Sequence, residues 1–152
     1  MKIALACGGT GGHIFPGVAT AEVLAARGHE VELWLAGKDG EDRLVDGWDG
    51  PVVTVQSEGF SDGVSTRAMG TAWKLMGAAR RCTSVMRKNR PDVVLGMGSY
   101  ATVGPVVAAM RLQIPFVLHE ANVLPGRAVS LFSRWASAIA GSFEETRYYL
   151  RR

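Results

Sequence analysis

The feature that most constrains the fold is a glycine-rich turn directly after the first apolar segment. The run Ile3-Ala4-Leu5-Ala6 leads into Cys7-Gly8-Gly9-Thr10-Gly11-Gly12-His13, and Pro16 then opens a helical pattern. A strand, a tight turn and a helix start in this order leave backbone N–H groups unpaired, and the helix dipole adds partial positive charge to them. The turn therefore predicts an anion site, most often for a phosphate, with His13 at its rim. A tight turn that needs only positive φ angles is the simpler interpretation.

The rest of the chain alternates short apolar segments with helical patterns. This alternation predicts a single α/β domain, a Rossmann-like doubly wound parallel sheet with helices on both faces. The predicted strands are Lys2–Cys7, Glu30–Ala36, Val52–Gln56, Asp92–Gly96, Phe116–His119 and Ala138–Gly141. The predicted helices are a first one that ends at Gly28, then Thr66–Asn89, Ala101–Arg111, Arg127–Trp135 and Glu144–Arg152.

Ligands of such a sheet bind beyond the carboxyl ends of its strands, which identifies the loops that matter. They are Gly8–His13, the segment after Gln56, Gly96–Tyr100 and Glu120–Gly126. His13 has three possible roles there, as a general base, as a hydrogen-bond donor to phosphate or as a helix cap.

The loops Gly96–Tyr100 and Glu120–Gly126 carry further candidate ligands. Ser99 is suited to cap the helix that follows Gly98, and the free amides there offer a second anion cradle or only a capped helix start. Glu120 and Asn122 are suited to bind sugar hydroxyls or an amide, and Asn122 is equally suited to cap a turn. His119 is expected to be buried at the end of its strand.

Several classes of site are excluded by spacing. Ile14 stands where G-x-G-x-x-G would need its third glycine, and no Gly-Lys-Ser/Thr follows, so neither a dinucleotide fingerprint nor a P-loop is present. Cys7 and Cys82 lack metal-ligand spacing and are expected to be packed, reduced thiols. We predict no metal and no cofactor. No stretch reaches the roughly 18 apolar residues of a membrane span, which favours a cytoplasmic protein.

One long helical segment carries charge of one sign only. No acidic residue lies between Asp62 and Asp92, a span that holds seven cations. The simplest interpretation is a solvated face, and nucleic acid is a competing partner, although no recognisable nucleic-acid motif accompanies the charge. We predict peripheral docking on anionic lipid. The predicted docking residues are Trp73, Lys74, Leu75, Arg80, Arg81, Arg87 and Lys88.

Three segments together resemble the N-terminal half of the MurG family, the UDP-N-acetylglucosamine transferases that complete lipid II for peptidoglycan. They are Gly8–Gly17, Gly96–Tyr100, and His119–Asn122 with Pro125-Gly126. The resemblance implies one half of a GT-B glycosyltransferase with two Rossmann-like domains. It also implies inverting, metal-independent transfer of N-acetylglucosamine from UDP-N-acetylglucosamine to the C4 hydroxyl of the muramyl sugar of lipid I, undecaprenyl-pyrophosphoryl-MurNAc-pentapeptide.

The resemblance also implies residue roles. His13 matches the histidine suggested to assist deprotonation of the acceptor hydroxyl. Donor contacts carry over to Thr10, Gly11, Gly12 and Asn122, and the acceptor with its diphosphate is expected at Gly9, Gly98, Ser99, Tyr100 and Glu120. The family docks on the cytoplasmic face of the bacterial plasma membrane through an apolar patch ringed by basic residues. Two departures are Ser99, where the family usually has glycine, and Ala121, where it usually has glutamine.

Length is the largest departure from the family pattern. Residues 1–152 correspond to the N-terminal, acceptor-side domain, and the donor-binding C-terminal domain is absent from this chain. The chain is therefore expected to be part of a hexosyltransferase and to be inactive alone. Expected partners are both substrates, an anionic membrane surface and the missing domain, but no nucleic acid. The alternatives are an acceptor-presenting, non-catalytic subunit and a related GT-B transferase with another lipid or natural-product acceptor.

Overall fold

The computed structural model describes residues 1–55 and 67–150, and over 67–75 it describes the backbone only. Within these residues six strands form one sheet in the order β3-β2-β1-β4-β5-β6. Every neighbouring pair is parallel, which confirms the predicted doubly wound α/β fold. The strands are β1 Lys2–Ala6, β2 Glu30–Leu35, β3 Val52–Thr54, β4 Val93–Gly96, β5 Phe116–Glu120 and β6 Ala138–Gly141.

The central strand β1 explains why the sheet buries two faces. Successive side chains of a strand point to opposite faces, so Ile3 and Leu5 pack on one side while Ala4 and Ala6 pack on the other. The first side is closed by α1 (Gly11–Ala26), which contributes Ile14 and Ala21. The second side is closed by α3 (Arg67–Lys88) and α4 (Val103–Leu112), whose buried residues include Cys82, Met86, Val106 and Ala109.

The helices agree with the sequence patterns except at three places. The first helix begins earlier than expected, because α1 starts at Gly11 and Pro16 lies inside it. Gly28, at φ 82°, follows the end of α1 as predicted. The predicted helices Ala101–Arg111 and Arg127–Trp135 become α4 and α5 (Arg127–Phe132) with short 3-10 turns beside them, Tyr100–Thr102 and Ser133–Trp135.

The final predicted α-helix, Glu144–Arg152, is wrong in type. Residues Glu144–Tyr149 form a 3-10 helix, and 151–152 lie outside the described residues. Only Thr146 of this helix is buried, so the segment has no apolar stripe that would hold an α-helix against the sheet. The sequence patterns also missed α2 (Glu41–Leu44), which at four residues is too short to show helical periodicity.

Candidate functional site

The turns after β1 and β4 lie against each other at the carboxyl edge of the sheet. Gly9 and Gly98 both have positive φ, 117° and 94°, where L side chains are strained. A Cβ on Gly9 would lie 3.1 Å from Ser99 Oγ. Ser99 Oγ in turn donates a hydrogen bond of 2.6 Å to the carbonyl of Gly8. The two turns therefore form one continuous wall.

Ser99 has a structural role at this junction. Its Oγ accepts a 3.1 Å hydrogen bond from the amide of Ala101, so the predicted helix cap is confirmed. Its own φ is 53° and its ψ 170°, a backbone conformation that L side chains rarely adopt and that costs about 1–3 kcal/mol. The two hydrogen bonds of Oγ offset that cost, which explains how serine is accommodated where the resembled family usually has glycine.

His13 lies between the two turns, with its ring oriented by a backbone carbonyl. Nδ1 is 2.8 Å from the carbonyl oxygen of Met97, and because a carbonyl only accepts, Nδ1 carries the proton. In the neutral form of the ring the lone pair is therefore on Nε2, which makes no hydrogen bond within the described residues. A Cβ on Gly98 would stand 3.1 Å from the ring, so glycine there leaves room for the imidazole.

The start of α1 offers unpaired backbone donors. In the described part of the chain the amides of Thr10, Gly11 and Gly12 have no hydrogen-bond partner, and Thr10 makes no side-chain cap bond. The first four amides of a helix have no partner within the helix, and the dipole favours an anion beside them. An anionic group is thus the matching ligand. The donor contacts of Thr10, Gly11 and Gly12 stay predictions, as do the acceptor contacts of Gly98, Ser99 and Tyr100.

The amide of Gly9 is already occupied. It donates a 2.6 Å hydrogen bond to Glu41 Oε1, and Glu41 is buried. The predicted contact of Gly9 with the acceptor substrate therefore cannot use this N–H group, and it stays a prediction. The observed role of Gly9 is to let the two turns approach closely. No sequence signal pointed to Glu41, because it lies 32 residues further along the chain.

The loop after β5 is closed by Glu120. The carboxylate of this buried residue accepts hydrogen bonds from the backbone and side-chain amides of Asn122, both 3.0 Å, and from the amide of Gly126 at 2.8 Å. A sugar contact of Glu120 stays a prediction, and its observed role is to shape the loop. Asn122 is exposed, and within the described residues its Oδ1 has no partner.

Burial disfavours the charged forms of three side chains, His119, Cys7 and Cys82. His119 was expected to be buried but is only half-buried; burial lowers its pKa, nearby His13 adds to the decrease and Glu120 opposes it. Burial raises the pKa of Cys7 and of Cys82 to about 12, so both are protonated, packed thiols and poor nucleophiles. Tyr100 is half-buried beneath Lys38, whose Nζ is 4.9 Å from the ring centroid. Lys38 was missed by the sequence patterns.

A second polar surface lies between α3 and α4. An open cavity of about 520 Å³ there is lined by Arg80, Thr83, Ser84, Arg87, Lys88 and Arg111. Arg111 comes from α4 and joins the predicted basic residues, of which Arg80, Arg81, Arg87 and Lys88 are exposed. The side chains of Trp73, Lys74 and Leu75, and the predicted loop after Gln56, lie outside the described residues.

The described residues contain neither a metal-binding cluster nor a membrane-spanning helix. No cluster of histidine, cysteine and acidic side chains there is suited to hold a metal ion. None of the helices there combines the length and the apolar character that crossing a bilayer requires.

Comparisons with known proteins identify relatives of this chain. The model of the glycosyltransferase family 28 N-terminal domain matches residues 3–141. A Neisseria meningitidis protein is 37% identical over 91% of this chain and 39% of its own length. A Geobacter sulfurreducens protein is 38% identical over 98% of this chain and 42% of its own length. Both are named UDP-N-acetylglucosamine--N-acetylmuramyl-(pentapeptide) pyrophosphoryl-undecaprenol N-acetylglucosamine transferase.

A solved structure gives the same result. The crystal structure of Acinetobacter baumannii MurG superposes with a TM-score of 0.83 and 27% identity, over 95% of this chain and 42% of that one. The chain thus spans about two fifths of the length of the relatives it matches.

Proposed function

The chain belongs to the glycosyltransferase family 28 N-terminal domain family, and on that premise we propose that it is the acceptor-side domain of an inverting transferase. The reaction is transfer of N-acetylglucosamine from UDP-N-acetylglucosamine to the C4 hydroxyl of lipid I, which yields lipid II. The names of the similar proteins supply the substrate class, and the crevice supplies matching chemistry.

The arrangement of His13 is the observation that carries this proposal. Nδ1–H is held by the carbonyl of Met97, so the Nε2 lone pair is presented beside the two turns. A general base needs this fixed tautomer to take the proton from a hydroxyl as it attacks the anomeric carbon. The proton moves to Nε2, the new glycosidic bond forms, and the bond to the UDP oxygen breaks.

The free amides at the start of α1 match the anionic parts of the substrates. Thr10, Gly11 and Gly12 present N–H groups at the positive end of the helix dipole, where a diphosphate gains charge-assisted hydrogen bonds. Asn122 Oδ1 is suited to accept a hydrogen bond from a sugar hydroxyl or acetamide group. The three backbone amides assist binding of the substrate, and they stabilise charge on the departing phosphate without a metal ion.

Catalysis requires the donor phosphates, the acceptor hydroxyl and the base to be held together. We therefore expect negligible transfer by the 152-residue chain alone with a lipid I analogue and UDP-N-acetylglucosamine. The test compares this chain with a fusion to the C-terminal part of the Geobacter sulfurreducens relative, using a radiolabelled donor. Transfer by the fusion supports the proposal, and robust transfer by the isolated chain contradicts it. Competition between lipid I and other lipid or natural-product acceptors then identifies a transferase with a different acceptor.

Peripheral docking on the cytoplasmic face of the plasma membrane is the second part of the proposal. Four exposed cations, Arg80, Arg87, Lys88 and Arg111, surround the cavity between α3 and α4. Each cation near an anionic bilayer contributes about 1 kcal/mol. Co-sedimentation with phosphatidylglycerol vesicles should be strong in low salt and weak in high salt. Equal binding to neutral and anionic vesicles contradicts the electrostatic mechanism.

A further inference from the structure

Glu41 joins two loops through one buried carboxylate. Oε1 accepts a 2.6 Å hydrogen bond from the amide of Gly9, in the loop after β1. Oε2 accepts hydrogen bonds from the amides of Gly37 at 2.8 Å and Lys38 at 3.3 Å, in the loop after β2. The side chain is only 3% exposed, so these N–H groups replace the water that would otherwise solvate the charge.

The loop after β2 brings Glu41 back to β1 within a few residues. Gly37 and Gly40 have φ angles of 73° and 82°, which glycine adopts at little cost. The amide of Glu41 donates a 3.2 Å hydrogen bond to the carbonyl of Lys38, which closes the turn. The negative charge of Glu41 also adds to the effect of burial in raising the pKa of Cys7, as expected for a carboxylate beside the end of β1.

Stability alone does not explain why a carboxylate links these two loops. Burying a charge costs several kcal/mol before its hydrogen bonds repay it, and apolar residues fill such positions at lower cost. What the carboxylate provides, and an apolar side chain does not, is a fixed direction for the amide of Gly9. The next amide in the chain is that of Thr10, the first of the three unpaired amides.

We propose that Glu41 is a positioning residue for the anion site. By turning the amide of Gly9 away from the crevice, it fixes the amides of Thr10, Gly11 and Gly12 in the direction of an anionic ligand. This inference rests on the proposed function, because it presumes that a phosphate-bearing ligand binds at those amides. Glu41 itself does not touch the ligand.

The sign of the effect of a substitution separates positioning from plain electrostatics. Neutralising a carboxylate near an anion site removes repulsion and by itself strengthens anion binding. Loss of the loop position weakens binding instead. Glu41→Gln keeps the size of the side chain, but its NH₂ group then faces an N–H donor, so at least one of the hydrogen bonds is lost.

The experiment is an amide NMR titration of the whole chain with inorganic pyrophosphate. For the parent chain, the amide signals of Thr10, Gly11 and Gly12 should shift on titration. Glu41→Gln should bind at least fivefold more weakly, with the Gly9 amide proton moved upfield because its charged acceptor is gone. The matched control is Asp42→Asn, which removes the same charge from the exposed neighbouring position of α2 and should leave the affinity within about twofold.

Each outcome decides a different claim. If the parent chain shows no shifts at these three amides, the anion site and with it both proposals are wrong. If the parent chain binds and folded Glu41→Gln binds equally or more tightly, the positioning role is wrong and the anion site stands. If Glu41→Gln does not fold, Glu41→Asp, which keeps the charge but withdraws it by one methylene, is judged by the same criterion.

Discussion

The crevice at the carboxyl edge of the sheet and the basic surface between α3 and α4 are both suited to anions, but they are built differently. In the crevice, buried side chains such as those of Glu41 and Glu120 hold the backbone through short hydrogen bonds. On the basic surface, cations such as Arg87 and Lys88 are exposed around an open cavity. The first arrangement fixes directions, whereas the second supplies only a local excess of charge.

This difference predicts how each region responds to substitution. A preorganised site depends on single atoms, because a displaced donor or base loses most of its effect. A cluster of exposed charges acts through its sum, so each member contributes little and salt screens it. Substitutions in the crevice should therefore have large, salt-independent effects, and those on the basic surface small, additive, salt-dependent ones.

The largest effect is expected for His13→Ala in the fusion described above. Without Nε2 to take the proton, kcat should fall about 10²- to 10⁴-fold, while folding is retained because the ring is half-exposed. The matched control is His29→Ala, which removes a histidine at the opposite edge of the sheet, near the N-terminus, and should leave kcat unchanged. Single-turnover rates measure the chemical step. A decrease smaller than threefold in His13→Ala would show that this histidine is not the base.

The next largest effect is on stability, at Gly8. A Cβ there would overlap the backbone nitrogen of Ala36, which cannot move without shifting β2. Gly8→Ala should lower the free energy of unfolding by about 3 kcal/mol, as overpacking does. Gly47→Ala is the control, because the space around Gly47 is open, and should change stability by less than about 0.5 kcal/mol. Urea unfolding of both variants provides the comparison, and similar losses would mean that the loops do not meet as described.

The sequence predicted the parts of this comparison that depend on local pattern. The run before Gly8 defines β1, and the glycines after it predict the turn that leads into a helix, although α1 already begins at Gly11. The alternation of elements predicts a parallel sheet. The rule that carboxyl ends share one edge then predicts that the loops after β1 and β4 are neighbours. The cap formed by Ser99 is also local, since it spans two residues.

Long-range partners were beyond reach of the sequence pattern. The hydrogen bond from Ser99 Oγ to Gly8 spans 91 residues, and that from Gly9 to Glu41 spans 32. No periodicity encodes which carboxylate among many is turned inward, or that Arg111 of α4 would join the cations of α3. Tertiary packing decides these contacts, just as it leaves Glu144–Tyr149 as a 3-10 helix.

Ser99 provides a smaller test of the crevice. Ser99→Ala removes the hydrogen bonds to Gly8 and Ala101 while it keeps a Cβ at φ 53°, so the free energy of unfolding should fall by about 1–2 kcal/mol. Ser99→Gly loses the same hydrogen bonds but relieves the backbone strain, so its loss should be about 1 kcal/mol smaller. Chemical denaturation of the pair measures this difference. Equal losses would contradict the claim that strain and hydrogen bonding are balanced at this residue.

The smallest single effect is expected on the basic surface, for Arg111→Gln. Binding to phosphatidylglycerol vesicles in low salt should weaken by about 1 kcal/mol, or about fivefold, and the double variant with Arg87→Gln should lose about twice that free energy. The control is Arg43→Gln, an exposed arginine on α2, which packs beside α1 on the other face of the sheet. Because exposed charges act by their sum, both losses should disappear in high salt. A loss at Arg111 that persists in high salt would instead show that the cavity binds a headgroup by directed contacts, and the two regions would then share one mechanism.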